Sequence, residues 1–147
     1  MPPKNANTIA AGPPGIDHLL VIVSNHPRQF KALGMKNVDG FEQTTLDEMD
    51  RVIDINVRGT LVATQAALKH MQPGGRIIMI GSSVGERILV PGLVAYSATK
   101  GAVKMFSQGL SREVASRGIT VNNVQPGPID TDLNPATGEW AVPQKAA

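Results

Sequence analysis

Tyr96 and Lys100 stand four residues apart in the segment AYSATK, and on a helix that spacing projects both side chains from one face, about one turn from each other. A phenol and an ammonium placed this way can exchange a proton with a bound group. Upstream, the apolar run Ile77–Ile80 stops abruptly at Gly81-Ser82-Ser83. A strand ending there delivers two hydroxyls to the carboxyl end of a sheet, where open α/β proteins place their ligands. Taken alone, Tyr96 and Lys100 are more often a half-buried aromatic with a lysine snorkelling to water. Ser82 by itself reads as a strand-end turn residue.

These groups need elements to hold them. Ile16–Val23 is a nearly continuous apolar run of the kind buried on both faces of a parallel sheet, and it is the first predicted strand. Thr44 or Thr45, followed by Asp47, Glu48 and Asp50, has the form of an N-cap with acids in the first turn, where the helix dipole favours them. Leu46, Met49, Ile53, Val57 and Leu61 then recur every three or four residues. They predict a long helix to about Met71, with Asn56 and Gly59 as poor helix formers in its middle. Pro73-Gly74-Gly75 ends it. Ile77–Ile80 is the second predicted strand, Val94–Arg117 a second long helix with Gly118 as its C-cap, and Ile119–Val124 the third strand. Strands alternating with helices predict an α/β fold with a parallel sheet and right-handed crossovers. Two successive crossovers moving the same way put both long helices on one sheet face and leave the other face bare. Residues 1–15, with four prolines and two glycines, are predicted as an irregular tail, 24–40 as loop, and 136–147 as a second irregular tail around one domain over 16–135.

Composition narrows the function classes. At 147 residues, 41% apolar and 18% charged, the chain is long enough for one globular domain with a sizeable core. Lys and Arg exceed Asp and Glu only by 14 to 12 and are scattered, which argues against a nucleic-acid surface. With no cysteine there are no disulfides, thiolate nucleophiles or thiolate metal sites; a reducing compartment fits, and the cytoplasm is the expected location. The apolar run Leu19–Val23 is far too short to span a bilayer, so no membrane partner is expected. The first fifteen residues carry no targeting pattern. His18, His26 and His70 share no ligand spacing, and no metal is expected. Met79, Met105 and Phe106 are read as core or helix-interface packing.

Four motifs together resemble the C-terminal part of the short-chain dehydrogenases/reductases, an NAD(P)-dependent oxidoreductase family that includes 3-oxoacyl-carrier-protein reductases. They are INVRG with Asn56, GSS with Ser83, YSATK with Tyr96 and Lys100, and VNNVQPGPIDTD with Asn122, Pro126, Gly127 and Thr131. The resemblance covers about Leu46 to Pro135. Ser83 lies 13 residues before Tyr96 and Asn56 lies 40 before it, as in the family. The implied fold is a partial Rossmann-like, doubly wound parallel sheet of about three strands and two long helices, the strands matching the fourth to sixth of the family. The family's glycine-rich TGxxxGxG turn and its Asn-Asn-Ala-Gly stretch are absent from this sequence. A truncated domain lacking the N-terminal half of the fold is therefore expected, with the edge of the first strand exposed.

The resemblance implies that Tyr96 is the general acid/base that exchanges a proton with a substrate alcohol or carbonyl oxygen while hydride moves to or from NAD or NADP. Free tyrosine titrates near 10. An ammonium about 5 Å away, at an effective dielectric near 20, favours the phenolate by roughly 3 kcal/mol, about two pKa units, so Lys100 is the expected tuning group. By the same carry-over Lys100 also holds the nicotinamide ribose with Tyr96, Ser83 bonds the substrate carbonyl, and Asn56 anchors a water that relays protons to Lys100. Pro126, Gly127, Ile129 and Thr131 would meet the carboxamide and phosphate side of the cofactor. The expected substrate is a small alcohol or carbonyl compound, and the long helices imply a homo-oligomer. A second reading stays open, a non-catalytic truncated remnant that acts through helix-mediated oligomer contacts.

Overall fold

The computed structural model describes residues 19–23, 41–88, 91–130 and 137. Three parallel strands, β1 (Leu19–Val23), β2 (Arg76–Ile80) and β3 (Thr120–Val124), lie in chain order across one sheet. The register runs from Leu19 beside Arg76 and Thr120 to Val23 beside Ile80 and Val124. Of the first predicted strand, Ile16, Asp17 and His18 lie outside the described residues, as do the 24–40 loop, both predicted tails apart from Gly138's neighbour Thr137, and His26.

A turn over Phe41–Gln43, not foreseen in the sequence, leads into α1 (Leu46–Ile53). Thr45 caps this helix reciprocally: its hydroxyl accepts from Glu48 N–H at 3.3 Å, and its own N–H donates to the Glu48 carboxylate at 2.9 Å. The expected single long helix then widens into a π turn over Asp54–Arg58, closed by Gly59 N–H donating to Asp54 C=O, before α2 (Gly59–Leu68) resumes. The residues that looked like poor helix formers mark the place where the winding changes.

The π turn sets which face is buried. Val52, Asn56, Thr60 and Thr64 are all buried, at strict intervals of four. In a regular α-helix each four-residue step advances about 40° around the axis, so three steps would carry Thr64 about 120° from Val52. The wide turn takes that drift back and keeps the row on one side. Its hydroxyls satisfy themselves within the helix, Thr60 donating to Asn56 C=O and Thr64 to Thr60 C=O, each at 2.7 Å. The apolar periodicity that announced the helix lies elsewhere. Leu46 is 73% exposed, and Ile53, Leu61 and Val62 are exposed as well.

Helix α3 (Val94–Glu113) follows β2 and ends through a short turn, Ala115–Arg117, at Gly118, whose φ of 66° is the left-handed conformation that glycine adopts without strain. Ile77 and Met79 point to the helix side of β2 and are fully buried, packed with Val103, Leu110 and Val114 of α3 and its turn, with Ile119, and with the α2 end at Ala67, Leu68 and Met71. Full burial of each such side chain contributes roughly 2 kcal/mol. Phe106 packs on this core, whereas Met105 is 62% exposed and is not part of it. On the opposite side Ile78 and Ile80 are half-buried and Val124 is 47% exposed. Among the described residues both helices thus cover one face and no helix covers the other, as the crossover rule required.

Candidate active site

The turn after β2 is pinned by backbone bonds to the segment after β3. Gly81 N–H donates to Val124 C=O at 2.7 Å and Ser83 N–H to Pro126 C=O at 3.0 Å. Ser82 is extended, and its hydroxyl accepts from Val84 N–H at 3.4 Å, starting the turn Ser83–Gly85. The Ser83 carbonyl accepts from Glu86 and Arg87 N–H, so its backbone is held on both sides while its side chain stays exposed. A Cβ on Gly85 would stand 2.9 Å from the carbonyl carbon of Lys100, so only glycine lets this turn lie against α3.

Tyr96 and Lys100 both face inward from the first two turns of α3. Lys100 is 1% exposed, and its Nζ donates to Ile80 C=O, the last carbonyl of β2, at 3.1 Å. The same nitrogen lies 5.6 Å from the centre of the Tyr96 ring. The Ser82 hydroxyl hydrogen-bonds the Tyr96 phenol. Ser82 was read as a turn residue; it fills that role and also holds the phenol.

Asn56 stands behind this pair, 0% exposed, in the π turn. Its Nδ2 donates to Thr99 Oγ1 at 3.0 Å, and Thr99 Oγ1 donates to Tyr96 C=O at 2.7 Å. Since the Thr99 proton goes to Tyr96, the amide must present its NH₂ group to Thr99. That fixes the amide orientation and leaves Asn56 Oδ1 buried without a hydrogen-bond partner. Thr99 was not singled out in the sequence, although its place three residues after Tyr96, on the Tyr96 face of the helix, was visible there.

The electrostatics correct one expectation. Burial pushes the Tyr96 phenol above its usual value, and the hydrogen bond from Ser82 only partly offsets this. Burial also lowers the Lys100 ammonium from its ordinary 10.5 to about 8. The spacing alone had Lys100 depressing the tyrosine. Here its Nζ donates to a main-chain carbonyl and lies 5.6 Å from the ring centre, and burial is the leading cause of the shift in each group.

At the rim, Glu86 pairs with Lys104 of α3 and accepts from Gln125 Nε2 at 2.9 Å, joining the Ser83 turn, α3 and the end of β3; these bonds hold its carboxyl below the usual range. Gly127 and Ile129 are exposed beyond that junction, and Thr131 lies outside the described residues. Asn122, on β3, is exposed on the open sheet face. His70 is exposed. Among the described residues no cluster of His, Asp or Glu could hold a metal, and no helix is long and apolar enough to cross a membrane.

The described residues form an α/β unit of one parallel sheet with helices on one face, and a buried phenol and amine lie at the carboxyl end of its middle strand. The short chain dehydrogenase family model matches residues 22–142, and the chain belongs to that family. It is 49% identical over 92 residues to the cyclic-di-GMP-binding biofilm dispersal mediator protein of Escherichia coli, covering 63% of this chain and 39% of that one. To the tetrahydroxynaphthalene reductase of Pyricularia oryzae it is 37% identical over 110 residues, 75% of this chain and 39% of that one. A short chain dehydrogenase from Burkholderia cenocepacia, solved in complex with NADP, superposes with a TM-score of 0.75 at 37% identity over 90% of this chain and 50% of that one. The chain thus spans about two fifths of the curated relatives it matches.

Proposed function

We propose that this chain carries the proton-transfer half of an NAD(P)-dependent oxidoreductase that interconverts an alcohol and a carbonyl. The observation that carries the reading is the inward-facing pair on α3, with Lys100 bonded to the last carbonyl of β2 and Tyr96 held by Ser82. Tyr96 exchanges a proton with the substrate oxygen, and Ser83, exposed beside it in sequence and fixed by its backbone, receives that oxygen. Asn56, with an acceptor atom buried and open, anchors the water through which Lys100 is resupplied with protons. The high titration of the phenol keeps Tyr96 protonated at neutral pH, the form needed to reduce a carbonyl.

The residues present fit one end of the cofactor. An amine and a phenol offer hydrogen bonds to a ribose diol, and the exposed segment from Pro126 through Ile129 offers main-chain groups and an apolar side chain to a nicotinamide ring; Thr131 would extend it. The glycine-rich turn that cradles a pyrophosphate is not in the sequence. When bound, NAD or NADP supplies or accepts the hydride. The NADP in the Burkholderia structure supports this choice of cofactor class. The substrate is a small carbonyl or alcohol compound, and the reductase among the relatives supports that class.

One observation favours a second reading, a non-catalytic chain acting through helix contacts in a homo-oligomer. Ile53, Leu61, Val62 and Met105 put apolar side chains on the solvent side of the two helical elements. Titration of NADH and NADPH, followed by nucleotide fluorescence, separates the two. Saturable binding supports the oxidoreductase; none below about millimolar concentration removes it for this chain.

A further inference from the structure

The hydrogen-bonded row behind Tyr96 has a member that neither the motif nor the proposed chemistry uses. Thr99 sits between the two helical elements, 2% exposed, with its single proton given to Tyr96 C=O and its lone pairs facing Asn56. Asn56 in turn is held where the helix changes from α to π winding. We propose that Thr99 is a positioning residue: through its hydroxyl the π turn at Asn56 fixes the first turn of α3, and so sets where the Tyr96 phenol lies against Ser82. This rests on the oxidoreductase reading for its purpose, but not for its test.

Three features support it. The Tyr96 carbonyl belongs to the first turn of α3, whose N-cap Leu93 makes no side-chain hydrogen bond, so the Thr99 hydroxyl ties the main chain of that turn directly to Asn56. The link crosses between elements 43 residues apart in sequence, and both partners are buried, where a hydrogen bond is costly to lose. Thr99 Oγ1 is the acceptor for the Asn56 NH₂ group and Asn56 Oδ1 has no partner, so losing the Thr99 hydroxyl would leave the side-chain amide unpaired in the interior.

The chain contains one tyrosine, so tyrosinate absorbance reads Tyr96 alone. The experiment is a stopped-flow pH jump on wild type, Thr99→Val and Thr99→Ser, with circular dichroism following the fold. Valine keeps the branched shape and removes the hydroxyl; serine keeps the hydroxyl. If Thr99 positions the phenol, Thr99→Val loosens the first turn, wets the ring and moves its titration down by about one pH unit, while Thr99→Ser titrates with wild type. A Thr99→Val protein that is less stable in urea but titrates as wild type would show a merely structural role and overturn the proposal. Where Thr99→Val fails to fold, Thr99→Ser decides: a wild-type titration supports the hydroxyl's role, and a shifted one overturns it. Nucleotide binding measured in parallel keeps the two readings apart, since loss of binding in wild type would sink the oxidoreductase and leave the titration result standing.

Discussion

Replacing Lys100 by methionine tests the central claim about the site, that an ammonium is held in the interior at a cost. Lys100 is almost wholly buried, its Nζ donates to the Ile80 carbonyl, and burial lowers its titration from 10.5 to about 8. Below about pH 8 both folded and unfolded chains carry the charge, and the full desolvation cost is present. Between 8 and 10.5 the folded chain gives up its proton first, so the unfolded chain binds more protons and stability rises with pH. Integrated from about pH 7 to about pH 10, those two values give a gain of roughly 2 to 3 kcal/mol. Tyr96 works against this only at the top of the range: its raised titration means the folded chain keeps a proton that the unfolded one has lost, so stability falls above its ordinary value of 10. Urea unfolding of wild type and Lys100→Met across this window isolates the contribution, because the other titrating groups are common to both. The wild-type curve should climb by about 2 to 3 kcal/mol relative to the variant. At neutral pH the variant gains this relief and loses about 1 kcal/mol for the donor to Ile80. Parallel curves for the two proteins would refute the buried ammonium.

Other perturbations follow from the same geometry. Tyr96→Phe should lower turnover at least a hundredfold, in the range of lost general acid catalysis, while leaving nucleotide affinity within a few-fold in a fluorescence titration; full turnover would remove the assigned chemistry. Gly85→Ala puts a methyl against the main chain of Lys100, and urea unfolding should show a loss of about 1 to 3 kcal/mol. Met79→Ala empties part of the core beneath α3 and should cost about 2 to 5 kcal/mol in the same assay. Thr45→Ala breaks the reciprocal cap of α1, with an expected loss of about 1 kcal/mol.

The strands and the second helix could be read from the sequence because their signals are local. Ile77–Ile80 is a short apolar run between glycines, and Gly118 marks a helix end by a conformation few other residues tolerate. The family could be read from the spacing of Asn56, Ser83, Tyr96 and Lys100. The buried face of the first helix could not. Its pattern of Leu46, Ile53 and Leu61 has the right period for a helix, but the buried side is Asn56, Thr60 and Thr64, polar residues of which the two threonines close their hydroxyl bonds within the helix. Periodicity reports that a face is apolar, not what covers it. The bond from Ser82 to the phenol depends on backbone angles at a turn, and the lowered Lys100 titration depends on burial in the folded chain. Neither is encoded in spacing.

The five residues 54–58 let the first helix hold one more residue than a regular winding of the same span. Deleting one of them and winding the rest regularly leaves eleven steps of about 100° between Val52 and Thr64, about 20° apart after whole turns, so Thr60 and Thr64 stay turned inward. Substitutions there can be absorbed one side chain at a time. A single-codon deletion would remove the wide turn without re-aiming the helix, so this stretch is one where related chains can differ by one residue and keep the same buried row.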